Sequence, residues 1–132
     1  MAHIVIVEDD STLASLYKKN IEAGGHMVEI IPDDVAVAQI KANKPNLVLL
    51  DILMPHNGLD ILREIKTDPV SSSIPVLLLT NVAENESIAK GLEYGAYGYL
   101  LKSETTPVQI LSRVNMTLEE TAGAGVPAAG SQ

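Results

Sequence analysis

The chain of 132 residues reads as one α/β domain, a doubly wound parallel sheet of five β–α units forming a three-layer sandwich. Three observations predict this. Five short apolar runs recur, from Ile4 to Val7, Met27 to Ile31, Leu47 to Leu50, Val76 to Leu79 and Tyr97 to Leu101. The first, third and fourth are continuous instead of alternating, the pattern of strands covered on both faces. Segments with helical spacing separate the runs, so strand and helix alternate five times, and such alternation builds a parallel sheet with helices on both sides.

After the first run, Ser11 or Thr12 is positioned to cap a helix carrying Leu13, Leu16, Tyr17 and Ile21, with Lys18 and Lys19 near its end and Gly24-Gly25 as the stop. Asp33-Asp34 opens a second helix with Val35, Val37, Ala38 and Ile40. Leu59, Leu62 and Ile65 mark a third, and Ile88, Ala89 and Leu92 a weaker fourth, with Glu84-Asn85-Glu86 as its solvated start. Thr106-Pro107 supplies a cap and a first-turn proline for a fifth, carrying Val108, Ile110, Leu111, Val114 and Leu118. Residues 1–120 are expected to form the domain. Residues 121–132, small and glycine-rich, read as a flexible tail or linker stub.

Composition narrows the function. Seventeen acidic residues against nine basic ones leave a formal charge of −8, which disfavours binding of nucleic acid by this chain alone. The absence of cysteine excludes disulfides, thiolate nucleophiles and cysteine metal sites. Four tyrosines are the only aromatic residues, so the core must be aliphatic. With no basic leader and no membrane-length apolar run, the expected location is the cytoplasm. Two sequon matches, at Asn85 and Asn115, then carry no meaning. His3, His26 and His56 fall on separate elements without ligand spacing, and Tyr94, Tyr97 and Tyr99 read as packing or switch residues.

In doubly wound sheets ligands bind beyond the carboxyl ends of the strands. The first run is followed by Glu8-Asp9-Asp10, the third by Asp51, the fourth by Thr80 and the fifth by Lys102. Taken singly, each has an ordinary reading: helix cap, turn residue or surface charge. Together, on one sheet edge, they are a site. Two carboxylates roughly 5 Å apart repel by about 3 kcal/mol at an effective dielectric of about 20. Such a cluster calls for a cation, and oxygen-only ligands favour Mg²⁺ over Zn²⁺. The lysine is then free to balance a third, anionic group such as a phosphoryl.

Four blocks carry a resemblance: Ile4 to Asp10 (IVIVEDD), Leu49 to Pro55 (LLDILMP), Pro75 to Thr80 (PVLLLT) and Gly95 to Lys102 (GAYGYLLK). In order and spacing they closely resemble the receiver domains of response regulators, over roughly residues 2–120. The resemblance implies the flavodoxin-like strand order 2-1-3-4-5. It implies that Asp51 accepts a phosphoryl group from a phosphohistidine, and that Glu8, Asp9, Asp51 and the backbone carbonyl of Leu53 hold Mg²⁺. Thr80 and Lys102 then meet the phosphoryl oxygens, and Tyr99 swings inward as Thr80 moves. The implied partners are a sensor histidine kinase or phosphotransfer protein, a downstream protein target or effector domain, and a dimer formed on phosphorylation. The chain fits a stand-alone receiver or one cut from a longer regulator or hybrid kinase.

The sequence departs from the family pattern in three places. Met54-Pro55 is followed by His56-Asn57-Gly58, a loop one residue shorter than usual with Asn for the common Asp, though Asn-Gly still suits a tight turn before a helix. Lys102 is followed by Ser103 where the family has proline, often cis. A cis bond before serine costs about 3 kcal/mol, so a trans bond and a differently shaped loop are expected. Leu53 and Val82 stand where other receivers place polar residues that orient water, which predicts slow phosphate loss. Three rival classes fit less well. A haloacid-dehalogenase-type phosphatase wants a second Asp at position 53. A dinucleotide-binding module wants a glycine-rich turn after the first strand, where three acids would repel a pyrophosphate. A receiver-like interaction module that is never phosphorylated does not need the complete acid–Thr–Lys set.

Overall fold

Along each central strand, successive side chains point to opposite faces of the sheet, and here both faces are greasy. Val5, Val7, Val48, Leu50, Val76 and Leu78 pack into one core, and Ile4, Ile6, Leu47, Leu49, Leu77 and Leu79 into a second. In the computed structural model, which describes residues 2–81 and 85–122, these residues form β1 (His3–Val7), β3 (Leu47–Asp51) and β4 (Val76–Thr80). β2 (Met27–Ile30) and β5 (Gly98–Leu101) complete the sheet at its edges. The order is β2-β1-β3-β4-β5, all parallel, as the resemblance implied.

The helices are α1 (Ser11–Ala23), α2 (Ala36–Asn43), α3 (Gly58–Thr67), α4 (Asn85–Glu93) and α5 (Pro107–Ala122), with one-turn 3₁₀ helices at Asp33–Val35 and Lys102–Glu104. Ala14, Tyr17 and Ile21 of α1 and Ile110 and Val114 of α5 cover one face. Ala36 and Ile40 of α2 and Ile61, Leu62 and Ile65 of α3 cover the other. That is the three-layer sandwich.

Several local expectations shift. Asp10 caps α1, not Ser11 or Thr12, because its carboxylate accepts the Leu13 N–H at 3.1 Å. Leu16 lies outside the buried stripe set by Ala14, Tyr17 and Ile21 and is 44% exposed. Asp33-Asp34 opens a 3₁₀ turn, and α2 begins only at Ala36, with Val35 37% exposed. Leu92 is exposed while Gly91 of α4 is buried, because a Cβ at Gly91 would meet the Leu78 side chain. Thr106 does cap α5. Its hydroxyl accepts the Gln109 N–H at 3.2 Å, and the Gln109 side chain accepts the Thr106 N–H at 2.8 Å. α5 runs through Thr121 and Ala122. The rest of the expected tail, together with Val82 and Glu84, lies outside the described residues.

Candidate functional site

The parallel register decides which side chains meet. Val7 pairs with Leu50 and Leu79 with Asp51, so Glu8, Asp51 and Thr80 emerge at the same edge. Thr80 pairs with Leu101, which sets Lys102 just beyond it. Glu8, Asp51 and Thr80 are all buried, whereas Asp9 is exposed.

Lys102 joins the carboxylates. Its Nζ lies 2.8 Å from Glu8 Oε1 and 3.1 Å from Asp51 Oδ2. Backbone amides hold the other oxygens: the Asp10 N–H donates to Glu8 Oε2 at 3.1 Å and the Leu53 N–H to Asp51 Oδ1 at 3.2 Å. Thr80 donates at 3.3 Å to the carbonyl of Asn81, a long and easily exchanged bond. Among the described residues no peptide is cis. The Lys102–Ser103 bond is therefore trans as expected, and it lies inside the 3₁₀ turn.

Charge at this edge is out of balance. Burial and then the Glu8 carboxylate push the Asp51 pKa up to about 7, with Lys102 pulling only partly the other way. Burial also works against the charge on Lys102, but Glu8 and Asp51 outweigh it and leave its pKa raised. One ammonium thus serves two buried carboxylates.

Do the residues suit a metal? Oxygens of Glu8, Asp9 and Asp51 all lie within 4.8 Å of one another. Glu8 Oε1 is buried and, among the described residues, meets the Lys102 ammonium at 2.8 Å without a well-directed hydrogen bond. An all-carboxylate donor set with a spare buried lone pair fits a hard divalent cation. Asp10 stays out of the cluster because its side chain is committed to capping α1.

The loop after Asp51 is shaped by close approach. A Cβ on Gly58 would sit 2.1 Å from the Asp51 carbonyl oxygen, so only glycine fits, and the Gly58 N–H donates back to Ile52. Asn57 caps α3 by accepting the Leu59 N–H at 2.8 Å, the helix-entry role expected of Asn-Gly. The Leu53 side chain is 51% exposed. Tyr99 is 41% exposed and faces outward beside Leu92, Leu101, Thr105 and Arg113.

Two features escape a sequence reading. The Tyr17 hydroxyl is buried without a hydrogen-bond partner among the described residues, and burial, then the Glu8 charge, raises its pKa. Asp33, in the loop after β2, accepts the His56 N–H at 2.8 Å. Asp33-Asp34 reads as a helix start, and no local pattern announces a partner 23 positions away.

Comparison with known proteins agrees with the geometry. The family model of the response regulator receiver domain matches residues 4–115. The phosphate regulon transcriptional regulatory protein PhoB of Rhizobium meliloti is 32% identical over 117 residues, covering 87% of this chain and 51% of that protein. The DNA-binding response regulator MtrA of Mycobacterium tuberculosis is also 32% identical, covering 87% of this chain and 50% of that one. The chain thus spans about half the length of these curated relatives. Among solved structures, a CheY-like receiver domain protein from Methanospirillum hungatei superposes with a TM-score of 0.85 at 26% identity, covering 95% of this chain and 99% of that one. The receiver domain of NtrX from Brucella abortus gives 0.79 at 26% identity, with 88% and 98% coverage. The chain belongs to the response regulator receiver family.

Proposed function

We propose that this receiver is switched by transfer of a phosphoryl group from a histidine kinase or phosphotransfer protein onto Asp51. The observation that carries the reading is the shared ammonium: two buried carboxylates, Glu8 and Asp51, face one lysine, with Asp9 beside them. Such an edge takes up further positive charge and then tolerates an added anion.

Glu8, Asp9, Asp51 and the Leu53 carbonyl would hold Mg²⁺. The cation would neutralise the acids and the charge that develops on a phosphoryl group. A carboxylate oxygen of Asp51 attacks phosphorus in line, the P–N bond to the donor imidazole breaks, and an acyl phosphate remains. Lys102 then shifts its charge from Asp51 to a phosphoryl oxygen. Thr80 gives up its long bond to Asn81 and donates to another, and Tyr99, now outward, moves into the space that Thr80 leaves. The output is a population shift at the surface of α4, β5 and α5, read by a downstream protein, an effector domain or a second copy. The chain is a switch, with no turnover on an external substrate, and its compartment is the cytoplasm. Among the described residues no helix is long and apolar enough to cross a membrane. The exposed, apolar Leu53 supports a long-lived phospho-form, lasting minutes to hours.

The test is acetyl phosphate with Mg²⁺, read by intact mass. The parent is expected to gain one phosphoryl group and Asp51→Asn none. No gain in either would favour the interaction module, and a gain at another residue would remove Asp51 from the mechanism.

A further inference from the structure

We infer that Asp33 is a positioning residue for the cation site, acting through the backbone of the loop that follows Asp51; the inference rests on the reading of that site given above. The loop from Ile52 to Asn57 must present the Leu53 carbonyl to the cation, yet it is short and largely exposed. Its two ends are fixed. Ile52 donates its N–H to the Leu79 carbonyl at 3.1 Å, and Gly58, packed against the Asp51 carbonyl, donates to Ile52 at 2.9 Å. Between them Pro55 has no N–H, and the half-buried Met54 side chain reaches the core beneath α2 and α3. Among the described residues, the hydrogen bond that ties the backbone between Leu53 and Gly58 to another segment is the His56 N–H to Asp33 Oδ2, at 2.8 Å.

Asp33 is itself well placed to act as an anchor. It opens the 3₁₀ turn that leads into α2, and the residues on either side, Ile31 and Ala36, are buried in the same core as Met54. The tether thus joins the loops after β2 and β3, the two strands that flank β1 in the sheet. A charge-assisted bond to a backbone N–H fixes the peptide plane near His56, and with only Met54 and Pro55 between, it limits how far the Leu53 carbonyl can swing. Without it the carbonyl becomes a mobile ligand.

The experiment uses the full chain, with Mg²⁺ alone as the probe and two variants. Asp33→Ala removes the acceptor, while Asp33→Asn keeps an acceptor oxygen without the charge. Asp33→Ala is expected to bind Mg²⁺ about tenfold more weakly, and Asp33→Asn close to the parent. Hydrogen exchange at the His56 amide, measured without metal, is expected to accelerate in Asp33→Ala and stay slow in Asp33→Asn. If the parent binds Mg²⁺ and Asp33→Ala binds it equally well, the inference fails while the site reading stands. Asp33→Asn as weak as Asp33→Ala would also overturn it, because charge and not the tether would then be responsible. A parent that takes up no Mg²⁺ removes the site reading and the inference together.

Discussion

The two ends of this sheet spend their polar groups differently. At the amino end, several polar groups pair across the chain, although the buried Thr117 hydroxyl on α5 has no hydrogen-bond partner among the described residues. The His3 N–H donates to Asn46 at 2.8 Å, His26 bridges the Ala2 N–H and Asn115, and Lys66 donates to the carbonyls of Ser72 and Ile74. Burial lowers the Lys66 pKa, and no carboxylate restores it. At the carboxyl end the same residue type, Lys102, is shared between two buried acids, and its pKa is raised. At the amino end the half-buried lysine is met, among the described residues, by backbone carbonyls alone. The carboxyl end is left short of positive charge, and that shortfall marks it as the working end.

The largest effect that would sharpen this contrast comes from Lys102→Ala, which leaves Glu8 and Asp51 facing each other without a cation. Denaturant unfolding at pH 8 without metal should show a loss of about 3 kcal/mol, with most of it recovered on adding Mg²⁺. A loss that Mg²⁺ does not repair would mean that the lysine is only structural. Gly58→Ala comes next. The methyl group would collide with the Asp51 carbonyl, so a loss of about 2 kcal/mol is expected together with weakened Mg²⁺ binding.

Asp51→Asn runs in the opposite direction. A carboxylate whose folded pKa is raised from 3.8 to about 7 disfavours the fold once it ionises, so metal-free stability should fall as pH rises from about 4 to about 7. The amide removes that cost, and Asp51→Asn should gain about 1–2 kcal/mol at pH 8 while showing little gain at pH 4. Equal stability of variant and parent at pH 8 would show that Lys102 already balances the edge. The smallest effect belongs to the amino end. Lys66→Met should cost about 1 kcal/mol from lost bonds to two carbonyls and leave Mg²⁺ affinity at the parent value. A change in Mg²⁺ binding there would break the division between the two ends.

Much of this was legible in the residues. Continuous apolar runs located β1, β3 and β4 to within a residue at each end, because a strand buried on both faces has no polar position to confuse its limits. The edge strands were overrun by one residue. Ile31 and Tyr97 still bond to their neighbouring strands but lie outside β2 and β5. On α1, Leu16 has the helical spacing of its apolar neighbours but not their face, because Ala14, Tyr17 and Ile21 set the buried stripe. At the site, the strand ends announced Glu8, Asp9, Asp51, Thr80 and Lys102, since a parallel sheet must bring its carboxyl ends to one edge. Their roles came from resemblance. What stayed hidden were contacts between distant loops or within the core: the Asp33–His56 tether, the buried Tyr17 hydroxyl, and a lysine divided between two acids. None of these follows from spacing.

The acid excess of the chain therefore divides in two. Glu8, Asp9 and Asp51 against Lys102 leave −2 at the site, which one divalent cation would neutralise, and the remaining 14 acids against 8 bases leave −6 elsewhere. The most direct test is a carboxyl-carbon NMR titration of Asp51 with and without Mg²⁺. Without metal the side chain should titrate near pH 7, and with saturating Mg²⁺ it should stay ionised to well below that, with apparent Mg²⁺ affinity rising as pH increases to about 7 and then levelling. An Asp51 that titrates near the ordinary carboxylate value without metal, or one that Mg²⁺ leaves unmoved, would contradict the account.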